Sequence, residues 1–124
     1  MLLCSVFVSA QVSELPDTSG NAFVRLCSSG EKEPITQTEG ANMLMGCIGY
    51  VAGFIDGEGF GTAYAEDKTG KKVPSLLCFP DGVENGQIIR ILLKYIRENP
   101  KDAHQRTAVL LVRAVRQAYP CPNK

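Results

Sequence analysis

The stretch Cys47-Ile48-Gly49-Tyr50-Val51-Ala52-Gly53-Phe54-Ile55-Asp56 decides the fold. No residue from Ala41 to Ile55 carries a charge, so a helix here is apolar on nearly every face and belongs in the middle of a domain. Gly46, Gly49 and Gly53 each cost such a helix about 1 kcal/mol relative to alanine. The compensation expected is close approach of another backbone. Glycines four apart also suit a membrane helix dimer, but the run is shorter than the ~20 residues a span needs, so a buried helix of a globular domain is preferred. Thr36-Gln37-Thr38-Glu39 has the form of a capping box at its start, and Asp56-Gly57 reads as its stop.

Working outward toward the N-terminus, residues 1–10 are apolar or small, and Val8-Ser9-Ala10 has the form of a signal-peptidase site before Gln11. The basic n-region of a signal is missing, and a buried strand carrying Leu2, Leu3, Val6 and Phe7 is the alternative. Residues 11–20, polar and holding Pro16, read as a flexible lead-in, and 21–124 as a single domain. Cysteine arithmetic favours export. Of Cys4, Cys27, Cys47, Cys78 and Cys121, cleavage after Ala10 removes the first and leaves an even set of four, as suits two disulfides in an oxidising compartment. Four cysteines allow three pairings. Cys27 ends a first helical segment and Cys47 lies in the helix that follows; Cys78 precedes a third helix and Cys121 follows a fourth. Helix order therefore favours Cys27–Cys47 and Cys78–Cys121. Zinc is disfavoured, because there is no C-x-x-C pair and one histidine.

The rest of the chain is helical by its periodicity. Asn21–Cys27 is a short helix with Asn21 as N-cap and Phe23, Leu26 and Cys27 on its apolar side. From Gln87 to Glu98, Ile88, Ile89, Leu92, Leu93, Tyr95 and Ile96 share a face opposite Gln87, Arg90, Lys94, Arg97 and Glu98. Ile91 falls near the polar stripe, a candidate for a dimer or partner contact. A fourth helix runs from Ala103 to Tyr119, where Pro120 ends it. Between the second and third helices, Gly57–Leu77 reads as a long loop, and loops of that length are usually functional or mobile. No strand alternation, repeat or linker interrupts this pattern. The expected fold is a small all-α, four-helix, disulfide-stabilised domain with that long loop.

The residues do not compose an active site. Formal net charge is zero, with no basic run for nucleic acid. His104, the single histidine, sits where a helix begins and suits capping or packing. Asp56 and Glu58 form a possible carboxylate pair at a helix end, which solvated chain termination explains as well. Gly57-x-Gly59-x-Gly61 lacks the spacing and the preceding strand of a phosphate-binding loop. With the cysteines committed to disulfides, no enzyme, cofactor or metal is expected, and a protein-binding role is favoured.

Several blocks, in order, resemble the Rap/Tai immunity family: Cys47-Ile48-Gly49-Tyr50-x-x-Gly53-x-x-Asp56; Cys78-Phe79-Pro80-x-Gly82-Val83-x-x-Gly86-Gln87; Lys94-Tyr95-x-x-x-x-Pro100; and Ala118-Tyr119-Pro120-Cys121. The resemblance covers most of the chain from Asn21 onward. It implies a helical, disulfide-bonded, often homodimeric periplasmic protein that inhibits a peptidoglycan amidase delivered by type VI secretion. Glu84 departs from the pattern, standing where a helix-capping threonine is expected. If the resemblance holds, the Gly57–Lys72 loop is the candidate plug for the amidase cleft, with Phe60 and Tyr64 as its aromatic anchors. The alternative function is a periplasmic chaperone of similar fold, for which one histidine and balanced charge offer no obvious acid trigger.

Overall fold

The computed structural model describes residues 17–28 and 36–122, apart from the side chain of Leu44. The proposed signal segment and most of the lead-in lie outside them. Among the described residues the elements are helical: α1 (Gly20–Cys27), α2 (Gln37–Asn42), a π-helical stretch (Met43–Ile48), α3 (Gly49–Thr69), α4 (Asn85–Glu98), a 3-10 turn (Pro100–Asp102) and α5 (Thr107–Ala118). The second, third and fourth of these run on without a break in backbone conformation. They make one rod, about 50 Å long at 1.5 Å per residue. Counted as one helix, the rod makes the fold the expected four-helix, all-α domain.

The rod begins as its sequence requires. The Thr36 hydroxyl accepts from the Glu39 amide, and the Glu39 side chain accepts from the Thr36 amide. Its end is a correction. Asp56-Gly57 does not stop the helix, which continues to Thr69 and closes on Gly70 at φ +66°, a conformation that favours glycine. The physical reason is side-chain tethering of the second half. Glu58 Oε1 accepts from Ser75 Oγ at 2.8 Å and from the Leu76 amide at 2.7 Å. Glu66 Oε1 accepts from the Val73 amide at 3.0 Å. These contacts fold the descending chain against the helix. The connection to α4 therefore spans residues 70–84 rather than starting at Gly57.

The core lies between α4, α5 and α1, with the π-helical stretch and the first turn of α3 closing one side. Ile89, Leu92 and Leu93 of α4 meet Leu110, Leu111 and Val115 of α5, all at most 2 % exposed. Burying a side chain of this size contributes about 1.5–3 kcal/mol, so this pair of faces dominates the core. α4 starts at Asn85, with Glu84 as an N-cap that makes no side-chain bond. The last helix begins later than expected, at Thr107 after the 3-10 turn.

α1 is held at both ends. Ser19, not Asn21, is its N-cap, and the Gly20 and Asn21 amides donate to the carbonyls of Gln105 and Ala103 at 2.9 and 2.8 Å. A β-carbon on Gly20 would lie 2.9 Å from the Ala103 carbonyl oxygen and 2.5 Å from Leu110 Cδ1, so the close approach needs glycine. Asp17–Gly20 are thus part of the domain and not of a free lead-in. Two disulfides close the structure in the expected pairing. Cys27–Cys47 ties α1 to the π-helical stretch and Cys78–Cys121 ties the loop to the tail, with Cα separations of 5.7 and 5.2 Å. They enclose 20 and 43 residues, worth about 3 and 4 kcal/mol in the chain-entropy account.

Candidate partner-docking face

The inner face of α3 is short of core contacts. Val51 is its one fully buried residue, with Ile55 half-buried behind it. One turn further, Glu58, Thr62 and Glu66 continue the same stripe; Glu58 and Glu66 hold the descending loop by hydrogen bonds instead of apolar contact, and the Thr62 hydroxyl donates to Glu58. The helix was expected to be buried on nearly every face. It is buried on one, because α1, α4 and α5 are too short to wrap a rod of this length.

The opposite face is bare. Gly49, Gly53 and Gly57 follow at four-residue intervals, and a β-carbon at any of them would meet nothing within 4 Å among the described residues. Phe60 and Tyr64 continue that face, since residues three and four apart are neighbours on a helix. Their rings stack on each other with centroids 6.4 Å apart and planes 20° apart, and Lys68 Nζ lies 5.5 Å from the Tyr64 ring centre. Phe60 is 74 % exposed and Tyr64 57 %. Exposed rings of this size, side by side, form an apolar ridge on an otherwise polar part of the molecule. Close approach by another part of this chain occurs at only one of the three glycines singled out in the sequence, Gly46, where Leu26 packs: a β-carbon there would lie 2.5 Å from Leu26 Cδ2.

The other expected site residues fall in separate places. Phe60 and Tyr64 stand on a helix, so the plug loop is corrected to a helical ridge. Asp56 is exposed, and Glu58, two residues on, points elsewhere and is committed to Ser75 and Leu76. The two carboxylates therefore form no pair, as residues two apart on a helix do not face each other. Ile91 is half-buried in a shallow groove between α4 and α5 with Lys94, Tyr95, Glu98, Ala114 and Gln117, and no residue of α3 lines it. His104 is exposed in the turn before α5 and caps nothing, because the N-cap there is Arg106. Among the described residues no group of three or more histidine, cysteine or acidic side chains is placed to hold a metal ion.

Sequence reasoning missed Gln87 and read Tyr50 as a core aromatic, which it is in part. Gln87, assigned to solvent, donates from Nε2 to the Tyr119 hydroxyl at 2.8 Å and is half-buried. Tyr50 packs edge-on against Phe23 with centroids 6.1 Å apart, and burial pushes its hydroxyl above the usual 10.0. Both sit at helix faces that periodicity places at the margin of the core.

The family model of the Rap1a immunity proteins matches residues 19–121, beginning at the residue that caps α1 and ending at the cysteine that closes the second disulfide.

The chain belongs to the Rap1a immunity protein family.

No curated protein and no solved structure matches it. Membership in the Rap1a family implies an immunity protein that binds a secreted effector, and it suggests inhibition without catalysis. Two disulfides and this membership suggest an exported protein. No helix among the described residues is long and apolar enough to cross a membrane.

Proposed function

We propose that this Rap1a-family chain is a periplasmic immunity protein that binds a type VI secretion peptidoglycan amidase and occludes its active-site cleft. Export would follow cleavage of the signal after Ala10, leaving one immunity domain. The observation that carries the docking site is the Phe60–Tyr64 ridge. It is a pair of large exposed rings held on a helix whose other side is tethered to the loop by Glu58 and Glu66. Aromatic anchors on a rigid element lose little side-chain entropy on binding, and such residues dominate interface energetics. Asp56, exposed one turn before Phe60, supplies a polar rim, while Glu58 holds the ridge in place from behind. Ile91 is a second, separate contact candidate. Inhibition of this kind needs no chemistry of its own, only exclusion of the peptide stem from the amidase cleft.

The test mixes the oxidised chain from Gln11 with each peptidoglycan amidase encoded by the same genome and follows muropeptide release. One amidase is inhibited in a stable complex, and Phe60→Ala and Tyr64→Ala each weaken inhibition about 30-fold, the level of a 2 kcal/mol hot spot. Inhibition unchanged by the double substitution would remove the ridge from the interface. Failure to bind any candidate would refute the amidase assignment.

A further inference from the structure

The two disulfides stand in different surroundings. Cys27 and Cys47 are 1 % and 0 % exposed, sealed between α1 and the π-helical stretch. Cys78 and Cys121 are half-buried and line a groove of about 660 Å³ between the loop and the end of α5. Access decides which disulfide a thiol can attack. Charge acts in the same direction. Lys72 and Arg116, both exposed, line this groove, and its one carboxylate, Glu66, is paired with Lys72 at 3.7 Å. Net positive surroundings favour thiolate over thiol, both for the sulfur that attacks and for the one that leaves. The same disulfide ends a line of tethers. Glu58 and Glu66 tie the second half of α3 to the loop at Ser75, Leu76 and Val73. Just beyond, the loop is tied to the body: Leu77 is buried, Cys78 bonds Cys121, and Phe79 packs edge-on against Tyr119 with centroids 6.3 Å apart.

We infer that Cys78–Cys121 is a thiol–disulfide exchange site, opened by a dithiol reductant while Cys27–Cys47 stays closed, and that its opening loosens the half of α3 that carries Phe60 and Tyr64. A thiolate of the dithiol attacks one sulfur of the pair. The Cys78–Cys121 bond breaks, a mixed disulfide forms, and the other cysteine leaves as thiolate. The reductant's second thiolate attacks the mixed disulfide and frees the remaining cysteine. Two electrons pass to the pair, both cysteines end as thiols carrying the two protons of the dithiol, and the reductant is left as its own disulfide. The core between α1, α4 and α5 keeps its covalent clamp at Cys27–Cys47. The exchange site does not rest on the effector-docking reading of the ridge; its bearing on inhibition does.

The test treats the oxidised, folded chain from Gln11 with excess dithiothreitol at neutral pH, quenches with a maleimide over time, and reads each cysteine by peptide mass spectrometry. Cys78 and Cys121 are labelled together, at least about tenfold faster than Cys27 and Cys47. Hydrogen exchange then compares the oxidised chain with the double variant Cys78→Ser, Cys121→Ser. Amides of α3 beyond Gly57 exchange at least about tenfold faster in the variant, while those of Leu92 and Leu111 in the core keep their protection. Equal reduction of the two disulfides, or reduction of Cys27–Cys47 ahead of the other, overturns the exchange site, and this outcome needs no variant to fold. Unchanged exchange along α3 overturns the release. Amidase inhibition separates this inference from the docking reading. Selective reduction and faster exchange, with inhibition equal in the parent and the double variant, remove the docking role of the ridge and leave the exchange site standing. Inhibition that depends on Phe60 and Tyr64, with both disulfides reduced at one rate, removes the exchange site alone.

Discussion

Alanine substitution of glycines separates open positions from close-packed ones, and the structure assigns opposite signs within one short chain. At Gly49, Gly53 and Gly57 an added methyl meets no atom of the described residues within 4 Å. Each Gly→Ala change there has only the helix-propensity difference to report, about 0.8–1.0 kcal/mol in favour of alanine, partly through the unfolded chain. The three positions share no packing partner, so their effects add to about 2.5–3 kcal/mol. For a domain near 100 residues each kcal/mol raises Tm by about 4–8 °C. Gly20→Ala does the reverse. Its methyl would sit 2.9 Å from the Ala103 carbonyl and 2.5 Å from Leu110 Cδ1. The carbonyl is backbone and cannot step aside, so about 1–3 kcal/mol is lost. Gly46→Ala lies between, because the obstructing atoms are the far end of the Leu26 side chain, which is 40 % exposed, rather than backbone; propensity gain and repacking cost nearly cancel. The assay is urea and thermal unfolding followed by far-UV circular dichroism at about 1 µM, with disulfides intact. A Gly53→Ala variant less stable than the parent at that dilution would refute the reasoning, since it would mean that the chain itself packs against α3 there.

Two further outcomes follow from the same geometry. Glu58→Ala removes the acceptor of the Ser75 and Leu76 hydrogen bonds and lowers stability by about 1–2 kcal/mol, discounted for partial exposure; faster hydrogen exchange at the Leu76 amide is the local readout, and an unchanged rate would show that the loop is held by other contacts. Burial raises the Tyr50 hydroxyl above 10.0, so its contribution is fully present below pH 10 and is lost as pH rises through the folded value; alkaline unfolding measured from pH 9 to 12 should be shallower in Tyr50→Phe, and identical slopes would exclude Tyr50 as the titrating group.

How far the sequence is legible depends on which interactions end each element. The capping box at Thr36–Glu39 is local, needing only two residues three apart, and it is present as read. The core face of α4 is also local in origin, because a 3.6-residue period decides it, and Ile88, Ile89, Leu92, Leu93 and Ile96 are buried as read. Both disulfides follow from helix order. The stop of the central helix is not local. Gly57 is compatible with a terminus, but Glu58 and Glu66 bond to residues up to 18 positions away, and that pairing is invisible to periodicity. Once the helix runs on, Phe60 and Tyr64 pass from a loop to a ridge, and Asp56 and Glu58 pass from neighbours to opposed faces. The π-helical stretch is illegible for a similar reason. It is set by tertiary contact, where Gly46 fits beneath Leu26 while Cys47 bonds Cys27.

The open glycines of α3 carry a cost that nothing among the described residues offsets. Three residues at about 1 kcal/mol each weigh heavily against the 5–15 kcal/mol by which domains of this kind are stable. At Gly20 and Gly46 the cost is recovered by close packing on Ala103 and Leu26, but at Gly49, Gly53 and Gly57 no atom of the described residues lies close enough to recover it. The same helix also leaves two large rings in water, forgoing their burial. Both losses fall on one face, and the opposite face is anchored by buried cysteine and valine and by two tethered glutamates. A helix built rigidly on one side and left unfilled on the other acquires its compensation only when a second surface arrives. On the proposed docking, the bare face of α3 is where a partner recovers that free energy.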